Sequence, residues 1–319
     1  MSKIQRNADI DALVKQCALP DAFSWWVDDY LAPLAQRLAA YHERYYRGKT
    51  WYVGLQGTQG SGKSTVSLFL QQLIEQYPLS VTVLSLDDFY LTHKERQTLA
   101  ETVHPLLQTR GVPGTHDIEL AMDTLAGLSQ DKETYLPRFD KAMDDRDEAP
   151  YWDKVCGPFD IVILEGWCVG LPAQDDAALT KPVNELEAQE DTDGSWRQYV
   201  NDQLKHGYAD LFAMLNDLIV LQAPSFDQVF EWRLLQEKKL IEKSHKAQED
   251  TRTLQSNESL ERFIQHYQRL TEYALAILPA KARWLLSVNA FHEIIDLVEK
   301  IPSSDIQEPQ ENKLGGKHE

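Results

Sequence analysis

Cysteine, cationic charge and long apolar runs are all in short supply, and each shortage narrows what the chain can be. The three cysteines, Cys17, Cys156 and Cys168, form no CxxC pair, and their odd number argues against a disulfide framework. They read as reduced and structural. Lys and Arg number 32 against 50 Asp and Glu, giving a formal net charge of -18. Such a surface repels polyanions, so no nucleic-acid partner is expected, and an anionic ligand must be gathered by a local cluster of donors. No apolar stretch approaches the roughly 18 residues of a membrane span, and the first segment, MSKIQRNADIDALVKQ, is charged throughout. A cytoplasmic location without a membrane partner is the expectation. The nine histidines show neither HExxH nor paired ligand spacing, which argues against a zinc site built from protein ligands alone.

What is present is an ordinary apolar share of 43%, enough for a buried core. From Pro20 to Tyr46 the residues Trp25, Trp26, Tyr30, Leu31, Leu34, Leu38, Tyr41 and Tyr45 recur at spacings near three and four, which predicts an N-terminal helical extension over 1–48 packed on the main domain. Five runs follow: Trp51 to Leu55, Val81 to Leu86, Ile161 to Leu164, Leu218 to Leu221 and Trp284 to Val288. Most are apolar at every position, as strands covered on both faces must be, and helical stretches separate them. The fold class is therefore α/β, a three-layer α/β/α domain over 49–301 with a parallel sheet. Two segments fall outside the pattern. The acidic stretch 172–195, containing ELEAQEDTD, reads as a solvated insertion, and the tail 302–319 holds too little apolar surface to order itself.

The first strand runs straight into Gly57-Thr58-Gln59-Gly60-Ser61-Gly62-Lys63-Ser64, then into Thr65-Val66-Ser67-Leu68-Phe69-Leu70 with helical periodicity. This is GxxxxGK[ST], the Walker A pattern, in the strand, loop and helix context it requires. Glycines let the backbone curl so that successive N–H groups point inward, and the helix N-terminus adds partial positive charge. Residues Gly57 to Thr65 are the candidate ATP cradle, with Lys63 directed at the β- and γ-phosphates and the Ser64 hydroxyl at Mg²⁺.

In an open parallel sheet, ligands sit beyond the carboxyl ends of the strands. Ile161 to Leu164 ends in Glu165-Gly166, where a carboxylate can orient Mg²⁺. Val81 to Leu86 ends in Asp87-Asp88-Phe89-Tyr90. Asp87 is the candidate base for an acceptor hydroxyl, with Asp88 as a substrate or metal-shell contact and Tyr90 as a substrate contact; capping of the following turn is the alternative for either Asp. Arg110-Gly111-Val112-Pro113-Gly114-Thr115-His116-Asp117 describes a rigid loop presenting donors. Arg110 suits a carboxylate, and Thr115, His116 and Asp117 suit hydroxyls, while Thr115 or Asp117 also serves as N-cap for Ile118 to Leu128. The stretch Leu136-Pro137-Arg138-Phe139-Asp140-Lys141, followed by Asp144-Asp145-Arg146-Asp147, offers Arg138, Lys141 and Arg146. Arg138 is taken as a substrate contact, against the alternative of surface charges paired with neighbouring Asp residues. On the helix from Phe226, Arg233 is the first candidate for a lid cation that stabilises the transferring phosphoryl group and Lys239 the second.

Taken together, GTQGSGKST, SLDDFYLTH, RGVPGTHD and LPRFDKAMDDRD resemble the D-glycerate 3-kinase family, a branch of the P-loop kinases related to uridine kinase, phosphoribulokinase and pantothenate kinase. The likeness runs from about Trp51 to His292. It implies ATP, Mg²⁺ and phosphorylation of a small hydroxy acid, D-glycerate first among them, with Asp87 as base. It also implies a helical lid and a five-stranded core in the order 2-3-1-4-5. Members of the superfamily place adenine contacts near the position of Asn289, where a turn-forming Asn is an equal reading. Two alternatives stand beside this one: a P-loop kinase for a nucleoside, pantothenate or a sugar phosphate, and an ATP-binding regulatory protein. A guanine-specific switch lacks its N/TKxD motif here.

Overall fold

The computed structural model describes residues 8–20, 23–235 and 257–300. Lys239, the tail 302–319 and the first seven residues lie outside them. We number the strands of the main sheet in chain order: β1 Trp51–Gly57, β2 Val81–Ser85, β3 Ile161–Gly166, β4 Asp217–Gln222, β5 Trp284–Val288 and β6 Ile294–Glu299. Their spatial order is β2-β3-β1-β4-β5-β6. The first five are parallel neighbours in the order 2-3-1-4-5, as the resemblance implies. A sixth strand extends this parallel core. It returns antiparallel to β5 as an edge strand. Its run IIDLVE buries Ile294 and leaves most of the rest open, so it lacks the continuous apolar character that marks the other five.

Why those strands are so largely apolar is visible in β3. Ile161 and Ile163 face a core shared with the N-terminal helices and the helix Lys63–Ile74, whereas Val162 and Leu164 face a second core under the helices Ile118–Leu128, Ser195–Lys205 and Asn257–Lys281. The N-terminal segment contributes Ile10, Phe23, Val27, Leu31, Leu34 and Leu38 to the first core, on helices Ala8–Gln16, Phe23–Trp26, Val27–Leu31 and Ala32–Tyr45. No helix of the described residues is long and apolar enough to cross a membrane.

Most of the acidic stretch is exposed, but it is anchored: it contains the helix Glu185–Glu190, and Glu187 and Asp191 are 1% and 0% exposed. Each carboxylate is neutralised from a distant or neighbouring helix. Arg269 donates to Glu187 through Nε at 2.8 Å and Nη2 at 2.6 Å, and Arg197 Nη1 donates to Asp191 at 2.8 Å. Composition suggested solvent because it counts charges without their partners. Buried charges held by arginines, as a fork at Glu187 and through one nitrogen at Asp191, are tolerated, and losing one partner would strand the other.

Candidate active site

The registers of β1, β2 and β3 bring three chemically loaded ends level. Glu165 lies beside Leu55 on one flank and Ser85 on the other, so the cradle after β1, the aspartates after β2 and the carboxylate ending β3 share one edge of the sheet. The cradle closes as the sequence predicts. Gly62 at φ 89° caps the helix Lys63–Ile74 in the left-handed region, and Gly60 at φ 77° has room for no side chain beside Trp232, whose Cβ would stand 3.0 Å from an added methyl. Ser61 Oγ donates to the Thr58 carbonyl at 2.8 Å and braces the loop from inside. Thr58 Oγ1 and Gln59 Nε2 are buried without hydrogen-bond partners, and Thr65 lies on the first turn of the helix.

Ser64 Oγ donates to Glu165 Oε1 at 2.7 Å, and Lys63 Nζ lies 3.8 Å from Glu165 Oε2. Glu165 is 3% exposed, and its Oε2 has no hydrogen-bond partner. A buried carboxylate oxygen left unsatisfied beside a serine hydroxyl is the oxygen donor set a hard divalent cation takes, so these two residues fit Mg²⁺. Among the described residues no cluster of three or more His, Cys, Asp or Glu is arranged to hold an ion unaided.

Asp87 and Asp88 begin a short 3-10 turn, Leu86–Phe89, with side chains about one-fifth exposed. They diverge electrostatically. Burial pushes Asp87 up, but Lys141, 2.8 Å from Oδ2, together with Lys63, outweighs it and holds the carboxyl well below the usual range. Tyr90 donates its hydroxyl to Asp87 Oδ1 at 3.0 Å. For Asp88 burial prevails over Arg138 and the Phe139 amide, and its carboxyl is raised.

Around this pair the predicted contacts sort into two groups. Tyr90 stacks on His116 with ring centroids 4.4 Å apart, and His116 Nδ1 meets the hydroxyl of Tyr208, which also accepts from the Gly114 amide at 3.0 Å. His116 Nε2 is buried without a hydrogen-bond partner. Thr115, by contrast, turns inward: its hydroxyl accepts from the Gly111 amide at 3.0 Å and donates to the Val112 carbonyl at 2.7 Å. Asp117 is the N-cap, accepting from the Leu120 amide at 3.0 Å, and its other oxygen accepts from Arg146 Nη1 at 3.0 Å. Arg110 pairs with Asp144 and lies over the Phe139 ring. Arg138 bridges Asp88 at 3.0 Å and Asp153 at 2.7 Å.

Two candidates lie beyond the cradle's far wall. Arg233 stands 5.5 Å from the Phe263 ring centroid and, with Gln59, Phe226, Val229 and Tyr267, lines a cavity of about 10 Å³. Asn289 engages its side chain in its own turn, accepting from the amides of Phe291 at 2.9 Å and Glu293 at 3.0 Å and donating to Glu293 Oε2 at 2.6 Å. That turn touches the cradle through His292, whose ring stacks on Trp232 and whose Nε2 lies 2.9 Å from the Gly60 carbonyl.

Sequence reasoning missed Trp232, His292, Tyr208 and Tyr267 as site walls and passed over Lys141 as the partner of Asp87. Tyr208 is 92 residues from His116 and Lys141 is 54 from Asp87, so no local spacing announces either.

A pH dependence of stability follows from the buried imidazoles. Burial holds both His116 and His266 at about 4, below the ordinary 6.5. Both are neutral in the fold near pH 7, and each unfolded counterpart takes a proton below about 6.5. A depressed histidine pKa costs stability as pH falls through that window. The limiting slope is about 2.7 kcal/mol per pH unit, from two protons taken up on unfolding. Urea unfolding between about pH 7 and about pH 5 should show the loss, and His116→Asn should halve the slope; a flat profile contradicts it.

No protein-family model matches the chain. It is 33% identical over 258 residues to an uncharacterized kinase of Schizosaccharomyces pombe, spanning 78% of this chain and 89% of that one. A probable ATP-dependent kinase of Saccharomyces cerevisiae is 34% identical over 217 residues, 62% of this chain and 71% of the relative. The solved D-glycerate 3-kinase of Cryptococcus neoformans superposes with a TM-score of 0.68 at 28% identity, covering 84% of this chain and 97% of its own. A cradle, a helix-borne lysine and acids at the adjoining strand ends, found in a chain this similar to kinases along most of its length, make it a small-molecule kinase that uses ATP, and it belongs to the D-glycerate 3-kinase family of P-loop kinases.

Proposed function

We propose that the chain transfers the γ-phosphoryl group of ATP to a hydroxyl of a small hydroxy acid, most directly D-glycerate. The observation that carries this reading is the placement of Asp87. It is an ionised carboxylate at the sheet edge, within electrostatic reach of Lys63 and paired with the exposed ammonium of Lys141. The solved relative is a D-glycerate 3-kinase.

In the proposed mechanism Asp87 accepts the acceptor's O–H proton while that oxygen attacks the γ-phosphorus and the bond to the β-phosphate oxygen breaks, its electron pair leaving with ADP. Lys63 offsets charge on the phosphates, and the cradle amides fix their position. Ser64 and Glu165 would hold Mg²⁺, which when bound neutralises phosphate charge. His116 Nε2 and the Tyr90 hydroxyl orient the acceptor, and Arg233 steadies the lid side of the cradle. Thr115 and Asp117 act through the shape of their loop.

The test is ADP release from Mg-ATP across a panel of acceptors. D-glycerate is expected to accelerate it above the acceptor-free rate by about 100-fold or more, since positioning a hydroxyl in line replaces slow attack by water. If uridine, pantothenate or ribulose 5-phosphate stimulates instead, the acceptor assignment is wrong.

A further inference from the structure

Every cation at the acceptor edge is already committed to a carboxylate of the protein, and the commitments differ in kind. Arg138 holds two aspartates with three donors, from Nη1 to Asp88 at 3.0 Å and from Nε and Nη2 to Asp153 at 2.8 and 2.7 Å. Arg146 is 13% exposed and locked to Asp117. Arg110 shares Asp144 with Arg96, whose guanidinium is 1% exposed and also donates to the Leu91 and Gln108 carbonyls. Lys141 stands apart. Its side chain is 61% exposed, its partner among the described residues is Asp87, and that partner is the group the proposed reaction needs as a base.

The backbone beneath Lys141 is fixed although the side chain is open. Phe139–Asp140 and Asp145–Arg146 form a short hairpin, and Asp140 Oδ1 accepts from the amides of Ala142 at 2.7 Å and Met143 at 3.1 Å across its turn. Its second arm is anchored twice, by the Asp144 carbonyl accepting from Arg96 at 2.6 Å and by Asp145 accepting from the His93 amide at 2.9 Å. A rigid turn thus presents a long, flexible ammonium over the base.

An ammonium on Oδ2 makes Asp87 a poor base, because a carboxylate so held has little affinity for a proton. Something must draw Lys141 away before transfer, and a carboxylate on the acceptor is chemically equivalent to the one it leaves. Resting on the hydroxy-acid reading of the acceptor, we propose that Lys141 is a specificity-determining residue: the acceptor's carboxylate takes its ammonium from Asp87, and that exchange frees Asp87 to receive the hydroxyl proton. A neutral polyol of the same size offers nothing to exchange. The base then stays engaged, so anionic acceptors are selected at the proton-transfer step as well as in binding. No charge is created or lost: one ion pair, Lys141 with Asp87, is replaced by another, Lys141 with the acceptor.

Initial rates with D-glycerate and with glycerol, its neutral counterpart, test this on the full chain. In Lys141→Met the KM for D-glycerate is expected to rise roughly 10- to 100-fold, and kcat/KM for glycerol to hold or rise, so that discrimination between the two falls by about tenfold or more. Lys141→Arg, which keeps the charge, should recover a substantial part of the discrimination. Equal losses on both acceptors, or an unchanged ratio, would overturn the role of Lys141 while leaving the hydroxy-acid reading intact. A wild-type protein that phosphorylates no anionic acceptor overturns both.

Discussion

Asp87→Asn is expected to lower kcat by about 10²- to 10⁴-fold while moving the Kd for ATP by no more than about twofold. Asparagine matches the volume of aspartate and still accepts the hydroxyl of Tyr90, so the 3-10 turn keeps its shape. It cannot take a proton. Neutralising the side chain also frees Lys141 and removes the charge that Tyr90, Lys63 and His116 all sense. Nucleotide binding rests on the cradle after β1, whereas Asp87 follows β2 beyond the intervening β3, so ATP affinity and turnover should separate. Steady-state kinetics with a nucleotide titration and a thermal melt measure all three quantities. A variant retaining more than about a tenth of wild-type kcat would remove Asp87 from the proton transfer.

The second large effect belongs to Lys63, and its signature differs. Lys63→Ala is expected to raise the KM for ATP and lower kcat together, for a combined loss of about 10²- to 10³-fold in kcat/KM for ATP. Lys63 is the first residue of the helix behind the cradle, 13% exposed and 3.8 Å from Glu165 Oε2. Its ammonium serves the phosphates both before and during transfer. Removing it also leaves Glu165 as a buried anion without its cation, which opposes the approach of a triphosphate. Arginine should fail to restore activity because its planar fork does not fit where a compact point charge sits beside Ser64. Unchanged kinetics in Lys63→Ala would take the cradle out of the reaction.

Both variants share one electrostatic circuit. Lys63 contributes to holding Asp87 ionised, so removing the lysine also raises the proton affinity of the base. The two substitutions combined should therefore cost less than the sum of their separate effects, since groups in one network do not act additively.

The parts of this protein legible from sequence are those whose signals are local. GTQGSGKS sits between a strand and a helix because its glycines must take positive φ, and the structure uses two of them that way. Five strands announced themselves by mostly apolar runs, as burial on both faces favours, and the sixth escaped because an edge strand carries only one buried residue at its start. Asp87, Asp88 and Glu165 were found by position, because parallel strands deliver their carboxyl ends to one side.

What only the tertiary structure decided is pairing. Sequence placed Lys141 in a run of charges and Glu187 in an acidic stretch read as solvated, yet one lies against Asp87 and the other is buried against Arg269. Whether Thr115 reads a hydroxyl or braces its own loop was equally open until the fold set it between Gly111 and Val112. The physical reason is common to all three. Propensity and periodicity act over a few residues and fix elements, whereas the partner of a charge or a hydroxyl is chosen by packing between segments far apart in the chain, where Coulomb attraction and desolvation depend on distances that no spacing rule encodes.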